Sequence, residues 1–271
     1  MSDKYWQVTE GVEPFVATAI HNGHDVRDEL REIMLIDEAG RFREEDPHTG
    51  RWASMAATHI IAKRSRFEFD LNRPRERAIY IEPADAWGLH VWTNKPHSAL
   101  VDRSLGLYDS FYAELSRIYA DMTRRFGAFV VFDLHSYNHR RNGSGAEPEN
   151  AVENPDVNIG TGTMDRNRWA PVVDRCIAEL SSFDFGGRRL DVRENVKFRG
   201  GNHPRWAHER FPDSACVIAV EFKKFFMDEW SGKVHDHEFE LIGQALRATM
   251  IGVLEEIQVV IEKKKTCKQP R

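Results

Sequence analysis

Cysteine is scarce. The 271 residues hold three, Cys176, Cys216 and Cys267, scattered and without a Cys-x-x-Cys pair. That excludes a disulfide scaffold and a cysteine zinc site, and it suits a reducing cytoplasm, the compartment expected here. Long hydrophobic runs are missing. No apolar stretch approaches the roughly 20 residues a bilayer demands, and Met1-Ser2-Asp3-Lys4-Tyr5-Trp6 lacks the apolar core of a signal peptide, so no membrane association is expected. Positive charge is not in surplus either. Lys and Arg number 38 against 43 Asp and Glu, a net charge of -5, which argues against a nucleic-acid partner. The chain has no Walker pattern and no Gly-x-Gly-x-x-Gly turn after a strand, which speaks against a nucleotide-dependent enzyme. Linkers rich in Gly, Ser or Pro and internal repeats are absent as well. Residues 1–271 therefore read as a single domain.

What is present centres on Ala128 to Tyr137. The apolar run Ala128 to Phe132 predicts a buried strand that ends in Asp133-Leu134-His135-Ser136. Strand ends are where α/β proteins gather ligands and catalytic groups. On an extended strand Asp133 and His135 point to the same side, and a carboxylate beside an imidazole fixes its tautomer as a metal-bound histidine requires. His135 is thus a candidate zinc ligand. A second apolar run, Pro14 to Ile20, ends in His21-Asn22-Gly23-His24. His21 is the second candidate and His24 its rival. A carboxylate from the acidic loop Arg43 to Gly50 would complete a site of two histidines and one carboxylate, leaving a fourth position open.

Other stretches extend the pattern. Asp25 is expected to cap a helix over Val26 to Ile36, and Thr49 one running to Ala57. Alternation of Arg66, Glu68 and Asp70 with Phe67, Phe69 and Leu71 has the period of a strand, which brings Arg66 near Asn72 and Arg73. A guanidinium offers two parallel donors, so this group suits a substrate carboxylate. Helical spacing runs from Ser98 to Phe126, Arg166 to Phe183 and Glu238 to Lys263. Short strands are expected at Val157 to Gly162 and Leu190 to Phe198, with Arg199-Gly200-Gly201-Asn202-His203-Pro204 as a substrate-contacting loop. Ser214 to Phe222 is a last buried strand carrying Glu221. A carboxylate there is costly unless paired, with Lys223 or Lys224 for instance, or working as a general base. Strands alternating with helices predict an α/β sandwich of three layers around a mixed, mainly parallel sheet.

Four segments, in order, carry a resemblance. They are His21-Asn22-Gly23, the run Ser65 to Pro74 with its Asp-Leu-Asn-Arg-Pro, Asp133-Leu134-His135-Ser136, and the strand ending at Glu221; Pro155 to Gly162 adds to them. Together they resemble the N-formylglutamate amidohydrolase family, over most of the chain. The resemblance implies a zinc carboxypeptidase-like fold and one zinc ion per chain held by His21, His135 and a loop carboxylate, placed at Asp46 with Glu45 as the alternate. It implies Arg66 as a carbonyl-polarising group, Asn72 and Arg73 as substrate-binding residues, and Glu221 as catalytic base. The implied substrate is a small N-acyl amino acid such as N-formyl-L-glutamate. Other readings of the same residues are a zinc carboxypeptidase or deacylase, or a binding protein without turnover.

Overall fold

The computed structural model describes residues 5–267. Its centre is a seven-stranded sheet. In chain order the strands are β1 (Trp6–Thr9), β2 (Phe15–Ala19), β3 (Thr58–Ala62), β4 (Phe129–Tyr137), β5 (Val157–Gly160), β6 (Val192–Glu194) and β7 (Ala215–Lys223), lying side by side as β1-β3-β2-β4-β7-β5-β6. β3, β2, β4 and β7 are mutually parallel, β1 is antiparallel to β3, and β5 is antiparallel to β7 but parallel to β6. The sheet is therefore mixed and mainly parallel, as the sequence predicts. All nine residues of β4 are buried.

Helices cover both faces, giving three layers. They are α1 (Asp28–Arg31), α2 (Glu38–Glu44), α3 (Thr49–Ala53), α4 (Ser98–Phe126), α5 (Ala170–Ser182), α6 (Asn202–Arg210) and α7 (Asp236–Cys267). Period-two alternation splits the strand residues between two cores. Val130, Phe132 and Leu134 of β4 join Ile218 and Val220 of β7 in a core with α3, α5 and α7. Phe129, Val131 and Val217 face the other way, into a core with α4 and the loops after β3. Each fully buried aliphatic or aromatic side chain stabilises the fold by about 1.5–3 kcal/mol. Asp133, His135 and Glu221 share the parity of that second face, so they point toward the α4 side. No helix among the described residues is long and apolar enough to cross a membrane.

Several elements differ from expectation. The helix expected from Val26 to Ile36 shrinks to α1, and Asp25 makes a lone bridge to Arg64 instead of capping it. Thr49 does not cap α3 but is its first residue; His48 takes the N-cap position in a left-handed conformation (φ 70°), with no side-chain capping bond. β3 stops at Ala62, so Arg66 to Asp70 is a turn and not a strand, with the Glu68 N–H donating to the Ser65 carbonyl at 3.0 Å. The alternation there arises because charged and apolar groups are buried together: Phe67 and Phe69 enter the second core, while Glu68 receives Arg27 Nε at 2.6 Å. The expected strand Leu190 to Phe198 is reduced to β6, and β1 has no counterpart in the sequence reading. The loop expected around Asn202 and His203 instead opens α6. Its proline, Pro204, falls in the first turn, where the missing N–H costs nothing.

Candidate metal and substrate site

The carboxyl ends of β2, β4 and β7 bring the chemistry together. His21 leaves β2, His135 lies near the end of β4, and Glu221 sits beside His135 as its registered neighbour on β7. The loop between α2 and α3 delivers Asp46. Its backbone N–H donates to the His21 carbonyl at 2.9 Å, and the Thr49 hydroxyl donates to the Asp46 carbonyl at 2.7 Å. Lys224, fully buried behind the loop, donates to the Glu45 carbonyl at 2.7 Å and also to that of Arg43. A buried ammonium thus fixes the loop by its backbone and leaves the Asp46 carboxylate to the histidines.

Those histidines converge on one oxygen. Asp46 Oδ2 lies 2.9 Å from His135 Nδ1 and 3.4 Å from His21 Nδ1. His21, Asp46 and His135 are all buried, and their ligand atoms fall within 4.8 Å of one another. The far side of each ring meets a carboxylate: His21 Nε2 is 2.6 Å from Asp70 Oδ1, and His135 Nε2 is 3.0 Å from Asp133 Oδ2. This donor set fits a divalent metal. Two imidazoles present Nδ1 to a shared carboxylate while outer carboxylates hold their Nε2 atoms, the arrangement that orients metal-bound histidines. Electrostatics agree. Burial pushes Asp46 upward, but its hydrogen bonds to His135 and His21 win and hold its carboxyl well below the usual range. Burial works against charge on His135, yet Asp133 and Glu221 raise its pKa well above the ordinary value. A proton held between His135 and Asp46 is what a cation would displace.

Glu45, the alternate carboxylate, turns elsewhere. It receives His24 Nδ1 at 2.5 Å and the Ser65 hydroxyl. Neither Glu45 nor His24 lines the cavity that contains His21, Asp46 and His135. Glu221 does line it, and the lysines offered as its partners are engaged with other groups, Lys223 with Asp156 at 2.9 Å and Lys224 with the backbone. Burial, with the charges of Asp46 and Asp133, outweighs the attraction of His135 and raises the Glu221 carboxyl to about 7.

Arg66, Asn72 and Arg73 line the same cavity. Arg66 Nη2 donates to Asp70 Oδ2 at 2.8 Å and Nε to the Tyr80 hydroxyl at 3.1 Å, while the Trp87 ring covers the guanidinium at 4.8 Å. Burial opposes its charge, but Asp70 and Tyr80 raise its pKa, so Arg66 is a fixed cation. Arg73 is freer, donating to the Asp85 carbonyl at 3.2 Å. Asn72 Oδ1 accepts the His203 N–H at 3.1 Å, which fixes the amide orientation and leaves Nδ2 as a donor.

The sequence reading gave no site role to Asp70, Tyr80 or His203, and offered Lys224 only as a partner of Glu221. Asp70 was visible within the Asp-Leu-Asn-Arg-Pro run. It receives Arg66, the Tyr80 hydroxyl and the Asn72 N–H (2.7 Å) in addition to His21. His203, wholly buried, stands with Nδ1 3.1 Å from Asp133 Oδ1; no local signal marks it, because the pairing joins β4 to a helix far along the chain.

Comparison with known proteins decides the family. The model of the N-formylglutamate amidohydrolase family matches residues 13–226, which is most of the chain. The chain belongs to the N-formylglutamate amidohydrolase family. Among solved structures, N-formylglutamate amidohydrolase from Ralstonia eutropha JMP134 superposes with a TM-score of 0.71 at 18% identity, covering 96% of this chain and 99% of its own. A gene product from Agrobacterium tumefaciens gives 0.64 at 17% identity, covering 94% and 96%. A metallo-carboxypeptidase from Burkholderia cenocepacia matches at 0.35 and 12% identity, over 89% of this chain and 56% of its own. No curated protein sequence matches the chain.

Proposed function

We propose that the chain is a zinc-dependent amidohydrolase that cleaves the N-formyl amide of a small carboxylate-bearing substrate such as N-formyl-L-glutamate. Membership of the N-formylglutamate amidohydrolase family supports the reaction class. The observation that carries the reading is one cavity holding two histidines on a shared aspartate, a raised glutamate, and an arginine–asparagine–arginine wall. The cavity, about 160 Å³, suits an acylated amino acid better than a peptide or a drug-sized ligand, whose sites usually run to roughly 300–1,000 Å³.

His21, Asp46 and His135 would hold one zinc ion. When bound, zinc supplies a water of lowered pKa and polarises the amide carbonyl. The chain supplies the rest. Glu221, as carboxylate, accepts the proton of the attacking water and returns it to the leaving nitrogen. Arg66, already fixed by Asp70 and Tyr80, donates to the carbonyl oxygen as negative charge builds there, without reorganising. Asn72 Nδ2 and Arg73 hold the substrate carboxylate, which places the amide against Glu221. The Trp87 ring lies over the Arg66 guanidinium and helps to hold it in place.

Elemental analysis of the purified protein and of His135→Ala, with formate release from N-formyl-L-glutamate, tests the reading. About one zinc per chain, lost in the variant together with formate release, is expected. No metal in the wild type after zinc is supplied would overturn the hydrolytic mechanism. Bound zinc without formate release would overturn the substrate.

A further inference from the structure

The start of α6 binds Asn72, which lines the cavity, and reaches Asp133, which backs His135. Asn72 is bound to it twice: the Asn202 N–H donates to the Asn72 carbonyl at 3.1 Å, and the His203 N–H to Asn72 Oδ1 at 3.1 Å. These are amides a helix N-terminus cannot satisfy internally, so they are free to grip a neighbour. The Asn202 side chain extends the hold. Its Nδ2 donates to the Tyr112 hydroxyl at 2.9 Å and the Tyr108 hydroxyl at 3.2 Å, and these donate in turn to the carbonyls of Leu71 (2.6 Å) and Arg73 (2.9 Å). All three carbonyls from Leu71 to Arg73 are thereby occupied. The approach depends on Gly201, because a Cβ there would overlap the Asn72 carboxamide.

One residue on, the His203 side chain turns to Asp133. It is completely buried, with Nε2 2.9 Å from the Tyr119 hydroxyl and Nδ1 3.1 Å from Asp133 Oδ1, off the axis of a straight hydrogen bond. The same Asp133 accepts the Thr18 hydroxyl at 2.7 Å and meets His135 Nε2 through its second oxygen. We propose that the turn Gly201-Asn202-His203 is a positioning element for both halves of the site: its backbone sets Asn72, and the His203 side chain sets His135 through Asp133. The inference rests on the zinc amidohydrolase reading for its zinc-affinity and kinetic arms; the exchange and nitrogen-15 arms stand without it.

His203→Gln moves the amide toward the place of Nε2 and leaves Asp133 with only Thr18 and His135, whereas His203→Asn keeps a donor near the place of Nδ1. Zinc affinity, measured by competition with a chromophoric chelator, is expected to fall about 10- to 100-fold in His203→Gln and to stay within about threefold of wild type in His203→Asn. Gly201→Ala is expected to leave zinc affinity unchanged, to speed hydrogen exchange of the His203 amide at least about tenfold, and to raise KM for N-formyl-L-glutamate with little change in kcat. Wild-type zinc affinity in a folded His203→Gln, or an unchanged His203 amide in Gly201→Ala, would overturn the proposal. If His203→Gln fails to fold, nitrogen-15 spectra of the wild type decide that half: the proton is expected on Nδ1 of His203, and a ring protonated on Nε2 alone overturns it. If Gly201→Ala fails to fold, Tyr112→Phe is expected to raise KM and speed exchange of the Asn202 amide, and no change in either overturns the other half. Absence of zinc or of turnover in the wild type would sink the functional reading, while the exchange and nitrogen-15 arms would still decide this one.

Discussion

The two candidate ligand histidines are backed by aspartates of very different character. Among the described residues Asp133, behind His135, has only the Thr18 hydroxyl and the His203 ring as further partners. Asp70, behind His21, also receives the Arg66 guanidinium, the Tyr80 hydroxyl and the Asn72 N–H. Burial raises both carboxyls, and in both cases attraction wins. His203 and His135 hold Asp133 well below the usual range, whereas Arg66 and His21 do the same for Asp70. The strand-borne half of the candidate metal site thus rests on a small carboxylate network, while the turn-borne half joins that candidate site to Arg66 and Asn72 through one shared carboxylate.

Replacing that shared carboxylate breaks the comparison most severely. Asp70→Asn strips His21 of its carboxylate and Arg66 of its anchor. Zinc affinity is expected to fall about 10- to 100-fold, and formate release at saturating zinc a further 100-fold or more, because both supports are lost together. Chelator competition and kinetics on one preparation separate the two losses. Arg66→Met sharpens the contrast from the substrate side. It removes the donor expected to meet the developing oxyanion, so kcat/KM should drop about 100- to 1,000-fold, or about 2.7–4 kcal/mol, with zinc affinity unchanged. A variant that loses zinc as well would show that Arg66 shapes the candidate metal site through Asp70.

Asp133→Asn probes the strand-borne half. His135 keeps a neighbour of the same shape but loses the anionic acceptor, so zinc affinity should fall about 10- to 100-fold while turnover at saturating zinc stays within about threefold of wild type. A large loss of turnover at saturating zinc would mean that the two halves are not separable in the way their hydrogen bonds suggest.

This division explains what was legible in the sequence. The strand-borne half was readable because a strand writes its geometry into period two: Asp133 and His135 had to share a face, and the apolar run before them had to be buried. The helix Ser98 to Phe126 was readable for the same reason, its apolar stripe matching a core face and Gly127 (φ 81°) ending it. The turn-borne half obeys no period. Arg66 and Asp70 do converge, yet they do so across a turn as an i, i+4 pair and not along a strand. The alternation that suggested a strand came from packing Phe67 and Phe69 beside buried charges. His203 and Lys224 act on groups far off in sequence, Asp133 and the Glu45 carbonyl, through contacts that only the assembled sheet brings about. Gly200, Gly201 and Pro204 read as loop, since nothing local shows that Gly201 clears space for Asn72 and that the proline sits harmlessly in a first turn.

The gentlest test uses acid alone. Glu221 stands beside His135 in register and lines the same cavity as Arg66. Burial raises its carboxyl to about 7. A base must be deprotonated, so activity is present above the pKa and is lost as pH falls through it, tenfold for each further unit. Bound zinc favours the carboxylate and moves the midpoint downward. The acid limb of kcat/KM is therefore expected at or below pH 7 with a slope of one, and nitrogen-15 or carbon-13 titration of the metal-free protein should place the Glu221 transition near 7. Glu221→Gln should remove that transition while zinc remains bound. A limb that persists unchanged in its residual activity would assign the titrating group to the candidate metal site instead, and the two halves would then share their proton chemistry as well as Asp70.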